Sequence, residues 1–299
     1  MNTREIDLLA AYWTLAGDVD PLSPSISPYT LQARVEAASK AGWRGIGVIH
    51  EDLAATVDKI GVGTVRQIFE DNGIKHFELE FLVDWYRDGV ARDASDRARR
   101  VIFELGAKLG MKNLKIAASV QDQNAPDFAR MADEFAKLCQ EAAEVGSNVS
   151  IEVMPFSIVK TLEDGLAIVQ EADQPNGGLL LDVWHIVRGG IDFSEIEKVP
   201  SRFIKAVELD DASSAIQGTL LEDTVFRRKL CGEGEFDNPG FIEAVQDVGF
   251  KGEWYGVEII STEFRKLPLV EMATRAFDTT MQQFREVEAR KRKTAVLDR

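Results

Sequence analysis

Four acidic residues in the second half of the chain lie among apolar residues, where a charge is energetically costly. Each has an apolar residue on both sides, in the tripeptides Ile-Glu-Val, Leu-Asp-Val, Val-Glu-Leu and Val-Glu-Ile. A carboxylate in such surroundings is expensive to bury unless it is paired with a cation or bound to a metal. The four acids are Glu152, Asp182, Glu208 and Glu258.

If these carboxylates converge, they repel one another, and a divalent cation would relieve that repulsion. An all-oxygen set of ligands suits Mg²⁺, Mn²⁺ or Ca²⁺ better than Zn²⁺. The alternative is that each acid pairs with a lysine or arginine on a neighbouring strand. For a single acid we would prefer that alternative, but for four acids in the same pattern we favour a metal.

Five glycines divide the chain into units of one helix and one strand. Each follows a helical pattern and precedes a short apolar run, and glycine just past a helix is a common left-handed stop. The first four are 31, 37 and 36 residues apart, which is the length of a helix, a strand and their loops. The five are Gly42, Gly73, Gly110, Gly146 and Gly249.

Eight strand candidates alternate with these helices. Several are continuous apolar runs, which indicates burial on both faces, as in a parallel sheet. We therefore expect an α/β fold, a (β/α)8 TIM barrel in one domain over 1–299 with a charged tail at about 285–299. An open doubly wound sheet is the alternative, but the chain has no Gly-rich phosphate loop after the first strand. The candidates lie near 8–15, 45–49, 75–81, 113–117, 149–154, 178–183, 203–209 and 254–260.

A barrel would bring the four acids together, because they lie on its strands 5 to 8. The carboxyl ends of barrel strands form the face where active sites are built. The sequence therefore predicts an acidic metal site at the barrel mouth.

The composition excludes several classes of protein. The chain has 35 Lys and Arg against 50 Asp and Glu, a net charge of −15, so a nucleic acid is not an expected partner. No apolar run is long enough for a membrane helix, and the first residues do not resemble a secretory signal. The two cysteines, without a CxxC motif, suit a reducing cytoplasm, which is the expected location. Three histidines are too few for a multinuclear zinc enzyme.

Nearly the whole chain resembles the xylose isomerase-like TIM barrels, a superfamily of sugar isomerases and epimerases, and within it the ketose 3-epimerases and their relatives. The resemblance implies that Glu152, Asp182 and Glu258 hold one divalent metal on strands 5, 6 and 8. It also implies a fourth ligand on strand 7, usually His or Gln, where this chain has Glu208. Mn²⁺ or Mg²⁺ is the expected ion, and Co²⁺ is the next candidate.

Two further motifs imply substrate contacts. The family's Asp-x-x-His motif on strand 6 corresponds to Asp182–His185, and the resemblance gives the histidine a substrate-binding role. An arginine shortly before a Gly-x-Gly turn binds substrate in the epimerases, and Arg228 matches that position. The second glutamate that the epimerases carry after the strand 5 ligand is missing, because Pro155-Phe156-Ser157 follows here.

Glu208 is the main departure from the family pattern. Glutamate can still coordinate, but it makes the site more negative than histidine would. In the competing interpretation Glu208 turns away and pairs with a basic residue, which leaves three carboxylates and water on the ion.

The resemblance implies an isomerase or epimerase that acts on a small sugar or polyhydroxylated keto compound. Glu152 and Glu258 would act as catalytic base and acid, passing through a metal-bound enediolate. A dehydratase similar to those of 3-dehydroshikimate or inosose is the first alternative, and a non-catalytic carbohydrate-binding barrel is the second. The expected partner is the small-molecule substrate, and the family also allows a homo-oligomer.

Two basic residues have open roles. Lys115, on strand 4, is expected to pair with Glu78 and Glu80, which share one face of strand 3. Arg265, after strand 8, either binds a substrate carboxylate or caps a surface loop.

Overall fold

Eight parallel strands close into a barrel in the order of the sequence. The structure, a computed structural model, describes residues 6–23, 26–120, 122 and 124–297. The TIM-barrel prediction is therefore confirmed, while the exact limits of the domain, 1–299, stay a prediction. The strands are β1 (Asp7–Ala10), β2 (Gly45–Ile49), β3 (His76–Leu82), β4 (Asn113–Ala117), β5 (Asn148–Glu152), β6 (Gly177–Asp182), β7 (Ile204–Leu209) and β8 (Trp254–Val257).

Helices surround the barrel and complete the βα units. All five glycines that divide the sequence have positive φ, as a left-handed stop requires. The helices are α1 (Tyr12–Leu15), α2 (Leu31–Ala41), α3 (His50–Ile60), α4 (Val62–Asp71), α5 (Gly89–Leu109), α6 (Phe128–Glu144), α7 (Leu162–Ala172), α8 (Val183–Arg188), α9 (Leu220–Phe226), α10 (Asn238–Asp247) and α11 (Leu269–Leu297). None of these described helices has both the length and the apolar character of a membrane span.

The first and last strands are shorter than the sequence predicts. β1 ends at Ala10 instead of residue 15, and β8 ends at Val257 instead of residue 260. Thr14 joins the two segments beyond the sheet, because its hydroxyl donates to the Val257 carbonyl at 2.7 Å and accepts from the Ile259 amide at 2.9 Å. The apolar runs continue past the strands because these segments stay buried at the barrel mouth.

The side chains inside the barrel differ between the amino and the carboxyl ends of the strands. Near the amino ends of the strands, the Asn113 amide donates to Ser150 at 2.8 Å and to Glu78. His76 lies at that end and contacts Asp7 at 2.9 Å, as expected of a structural histidine. Towards the carboxyl ends, charged side chains replace these polar ones, and they form the site described next.

Candidate active site

The four predicted acids meet at the carboxyl end of the barrel. Glu152 and Asp182 are the last residues of β5 and β6, Glu208 is the last but one of β7, and Glu258 directly follows β8. Asp182 lies beside Glu208 in the strand register. One carboxylate oxygen from each of the four lies within 4.8 Å of the others, and all four side chains are buried. The predicted convergence is therefore present, although Glu258 lies just outside its strand.

Lys115 reaches this group from β4 on the opposite side of the barrel. Its ammonium donates to Glu258 Oε1 at 2.7 Å, to Glu208 Oε1 at 2.8 Å and to Glu80 Oε2 at 3.2 Å. The expected pair with Glu80 is present. The expected pair with Glu78 is absent from the contacts of these described residues, because Glu78 is bound by an asparagine amide one layer below.

Arg228 approaches from the other side and is only 2% exposed. Its Nη1 donates to Asp182 Oδ2 at 2.7 Å and to Asp210, and it lies 3.2 Å from Glu258 Oε2. Thr224 accepts from its Nη2 at 2.8 Å. Lysine or arginine thus pairs with three of the four acids, so the ion-pair alternative is present beside the acidic group.

The loop after β7 fixes Arg228 in place. Asp211 and Lys229 exchange two backbone hydrogen bonds, and the Arg228 amide donates to the Ile260 carbonyl at 3.1 Å. The Asp211 carboxylate accepts from the amides of Gly232 and Phe236, each at 2.9 Å. The Gly-x-Gly turn is therefore closed over a buried carboxylate, which positions the arginine that precedes it.

His185 lies beside Glu152. The Asp182 carboxylate caps α8 by accepting from the amides of Trp184 and His185, so the Asp-x-x-His spacing turns the imidazole back into the mouth. His185 Nε2 is 3.1 Å from Glu152 Oε1 and 3.4 Å from Arg228 Nη2. The rings of Trp184 and Phe156 pack edge-on against the imidazole and fix its orientation.

The two glutamates on either side of the site have different proton affinities. Burial would raise the pKa of Glu152, but contact with His185 and the charge of Lys115 outweigh it and hold that pKa at about 2. Burial raises the pKa of Glu258, although Lys115 and Arg228 oppose it. Burial also raises the pKa of Glu208 well above its ordinary value. Two carboxyl groups with pKa values pushed apart are typical of acid–base sites.

The donor set fits a divalent cation. Six buried carboxylates line the described mouth, and Lys115 and Arg228 neutralise only part of their charge. Glu208 Oε2 and Asp210 Oδ1 are buried and have no hydrogen-bond partner among the described residues, although buried polar atoms are normally satisfied. The six are Glu80, Glu152, Asp182, Glu208, Asp210 and Glu258.

Three residues of this site were missed or only partly seen in the sequence. Asp210 has the same strand parity as Glu208 in the segment Val-Glu-Leu-Asp-Asp, and that parity was the available signal. Lys115 is a charge among apolar residues, the same signal that identified the acids, but its reach to Glu208 and Glu258 depends on the closed barrel. Glu80 was linked to Lys115 but not to the site.

A family model described as "Xylose isomerase-like TIM barrel" matches residues 35–284. The chain belongs to this family. Its match covers the barrel from α2 to the first half of α11 and includes all the acids of the mouth. The resemblance drawn from the sequence motifs is confirmed.

Two curated relatives are enzymes. A 3-dehydroshikimate dehydratase from Pseudomonas putida is 28% identical over 244 residues, which is 80% of this chain and 37% of that protein. An inosose isomerase from Bacillus subtilis is 26% identical over 151 residues, which is 50% of this chain and 53% of that protein. The chain thus spans about half of these relatives or less.

One similar solved structure is that of the IOLI protein with a bound zinc atom. Its TM-score is 0.82 at 21% identity, over 93% of this chain and 98% of that one. At this identity the likeness shows the shared barrel fold.

Proposed function

We propose that the protein is a divalent-metal-dependent isomerase or epimerase of a small polyhydroxylated carbonyl compound. The observation that carries the proposal is the placement of Glu152 and Glu258 in one buried carboxylate group at the barrel mouth, with His185 and Arg228 beside them. The enzymatic relatives, an isomerase and a dehydratase, support a carbonyl chemistry.

Glu152, Asp182 and Glu258 would hold the ion, and Glu208 is the fourth carboxylate of the group. A divalent ion, when bound, acts as a Lewis acid that polarises a carbonyl and acidifies the neighbouring C–H bond. Oxygen ligands favour Mn²⁺ or Mg²⁺, and Co²⁺ comes next.

Side chains supply the proton transfers and the positioning. One of Glu152 and Glu258 removes the proton next to the carbonyl, and the other returns it to the opposite face or to the neighbouring carbon. His185 donates a hydrogen bond to a substrate oxygen and stabilises the negative charge that develops there. Arg228, whose donors are engaged by Asp182, Asp210 and Thr224, adds its positive charge beside the same oxygen. The Asp211 loop and the Asp182 cap hold these two side chains in place before substrate arrives.

The charge of the mouth favours a neutral substrate. Lys115 and Arg228 are already engaged by buried carboxylates. Arg265, the candidate for a substrate carboxylate, instead contacts Asp18 at 2.9 Å and donates to the Val19 carbonyl at 2.8 Å, so it caps the loop after β1. An anionic substrate would add negative charge to a group that already carries an excess, and a neutral polyhydroxylated ketone would not.

A dehydratase is the second candidate, because a 3-dehydroshikimate dehydratase is among the relatives. The first step, removal of a proton next to a carbonyl, is the same, but a β-hydroxyl then leaves. A panel of neutral polyhydroxylated ketones and of dehydroshikimate separates the two candidates. An isomer detected by NMR, with no new ultraviolet absorption, supports the isomerase. A product with new ultraviolet absorption, from a conjugated enone formed from a ketone or from the more extended conjugation formed from dehydroshikimate, supports the dehydratase and overturns the isomerase.

His185→Ala is expected to lower kcat/KM by ~10²-fold or more, since loss of one donor to a developing oxyanion typically has an effect of this size. The metal content should stay that of the native protein, because the imidazole acts on substrate. Kinetics and elemental analysis of the same preparation check both parts. His76→Gln, at the opposite end of the barrel, is the control. Loss of the metal from His185→Ala would show that His185 is a ligand and would contradict the assignment.

A further inference from the structure

Lys115 lies at the centre of the acidic group, and neither the family motifs nor the proposed chemistry gives it a role. Its side chain is 1% exposed, and its ammonium has three carboxylate partners, one for each of its three N–H donors. These partners come from β3, from β7 and from the residue after β8, so one lysine joins opposite walls of the barrel mouth.

Neighbouring strands leave room for this arrangement. A Cβ atom at Gly256 would lie 2.7 Å from Glu208 Cγ, and one at Gly47 would lie 2.5 Å from Glu80 Oε1. Glu80 is also held by the Tyr12 amide, which donates to its Oε1 at 2.8 Å. The absence of a side chain at these two glycines thus lets both carboxylates reach the ammonium. The contact therefore depends on the backbone of the neighbouring strands as well as on the three charged residues.

We propose that Lys115 is a positioning residue that holds the Oε1 atoms of Glu208 and Glu258 and competes with the divalent ion for these two carboxylates. The inference rests on the metal site of the proposed function. It accounts for the glutamate at the strand 7 position, because the added negative charge of Glu208 is matched by a lysine 2.8 Å away. Lys115 also contacts Glu258 at 2.7 Å and orients that carboxylate through the same ammonium.

The test is the affinity for Mn²⁺ alone, measured by titration calorimetry without substrate. Lys115→Met removes a positive charge in contact with two carboxylates of the group and releases Glu208. We expect Mn²⁺ to bind at least about tenfold more tightly, given the strength of charge interactions in a partly dehydrated site. Lys205→Met, on β7 near the other end of the barrel, is the matched control and should leave the affinity unchanged.

Lys115→Gln keeps the inference testable if Lys115→Met does not fold, because its amide can still donate to the carboxylates but carries no charge. Mn²⁺ should again bind at least about tenfold more tightly than it binds to the native protein. An affinity equal to or below the native value would overturn the inference.

The remaining outcomes separate this inference from the proposed function. If the native protein binds Mn²⁺ and Lys115→Met binds it equally or more weakly, the inference fails and the metal site stands. If only Lys115→Met binds Mn²⁺, the lysine excludes the ion from the native site, so the inference holds and the proposed metal chemistry fails. If neither protein binds Mn²⁺, both are overturned.

Discussion

Removal of divalent ions by a chelator is expected to abolish turnover, and Mn²⁺, Mg²⁺ or Co²⁺ should restore it. The reason is electrostatic as well as chemical, because the carboxylates at the mouth outnumber their two basic partners and a divalent ion neutralises the excess. Activity is measured before chelation, after it, and after addition of each metal to a dialysed sample.

Far-ultraviolet circular dichroism of the chelated protein is the control, since the barrel should keep its fold without the ion. Lys115 and Arg228 retain their carboxylate partners in that state. Full turnover by a protein with less than a tenth of an equivalent of metal would contradict the proposed chemistry.

Glu152→Gln and Glu258→Gln are each expected to lower kcat by ~10²–10⁴-fold, which is the usual contribution of a positioned general acid or base. Glutamine has the size of glutamate but cannot carry the proton. Steady-state kinetics with saturating metal measures the effect and separates it from weaker metal binding.

Glu197→Gln is the matched control for these variants. Glu197 is exposed in the short 3₁₀ helix Phe193–Lys198, which precedes the amino end of β7 and so lies away from the carboxyl ends that form the mouth, and its replacement should leave kcat unchanged. Near-native turnover by either Glu152→Gln or Glu258→Gln would show that the residue is neither the acid nor the base.

The strand pattern could be predicted from the sequence where apolar runs end at the limits of the sheet. β2 begins and ends where predicted, because its apolar run lies between the polar residues Arg44 and His50. β4 also has the predicted limits. β1 and β8 were predicted too long. An apolar run indicates that residues are buried, and here the residues stay buried after the backbone has left the sheet. The Thr14 hydroxyl that ends the pairing forms contacts about 245 residues away along the chain.

The acids of the site could be predicted because each stands alone among apolar neighbours on its own strand. Their counter-ions could not be predicted in full. Lys115 lies on β4 and reaches β7 and the end of β8 across the barrel, and such a contact depends on closure and on strand register. Arg228 was expected to face the substrate, and the structure places it on Asp182, Asp210 and Glu258. Its role in substrate binding stays a prediction.

Exchange of substrate hydrogen for solvent deuterium tests the central claim most directly. Once a proton next to a carbonyl is removed, deuterium can replace it even without net conversion of the substrate. The metal-loaded protein is incubated in D₂O with each neutral polyhydroxylated ketone of the panel, and proton NMR follows the C–H signals. We expect a C–H signal next to the carbonyl to be lost with at least one ketone. This loss should require the metal and should be slowed ~10²-fold or more by Glu152→Gln or Glu258→Gln. Tight binding of a ketone by the metal-loaded protein without any exchange would contradict the account and would indicate a barrel that binds carbohydrate without chemistry.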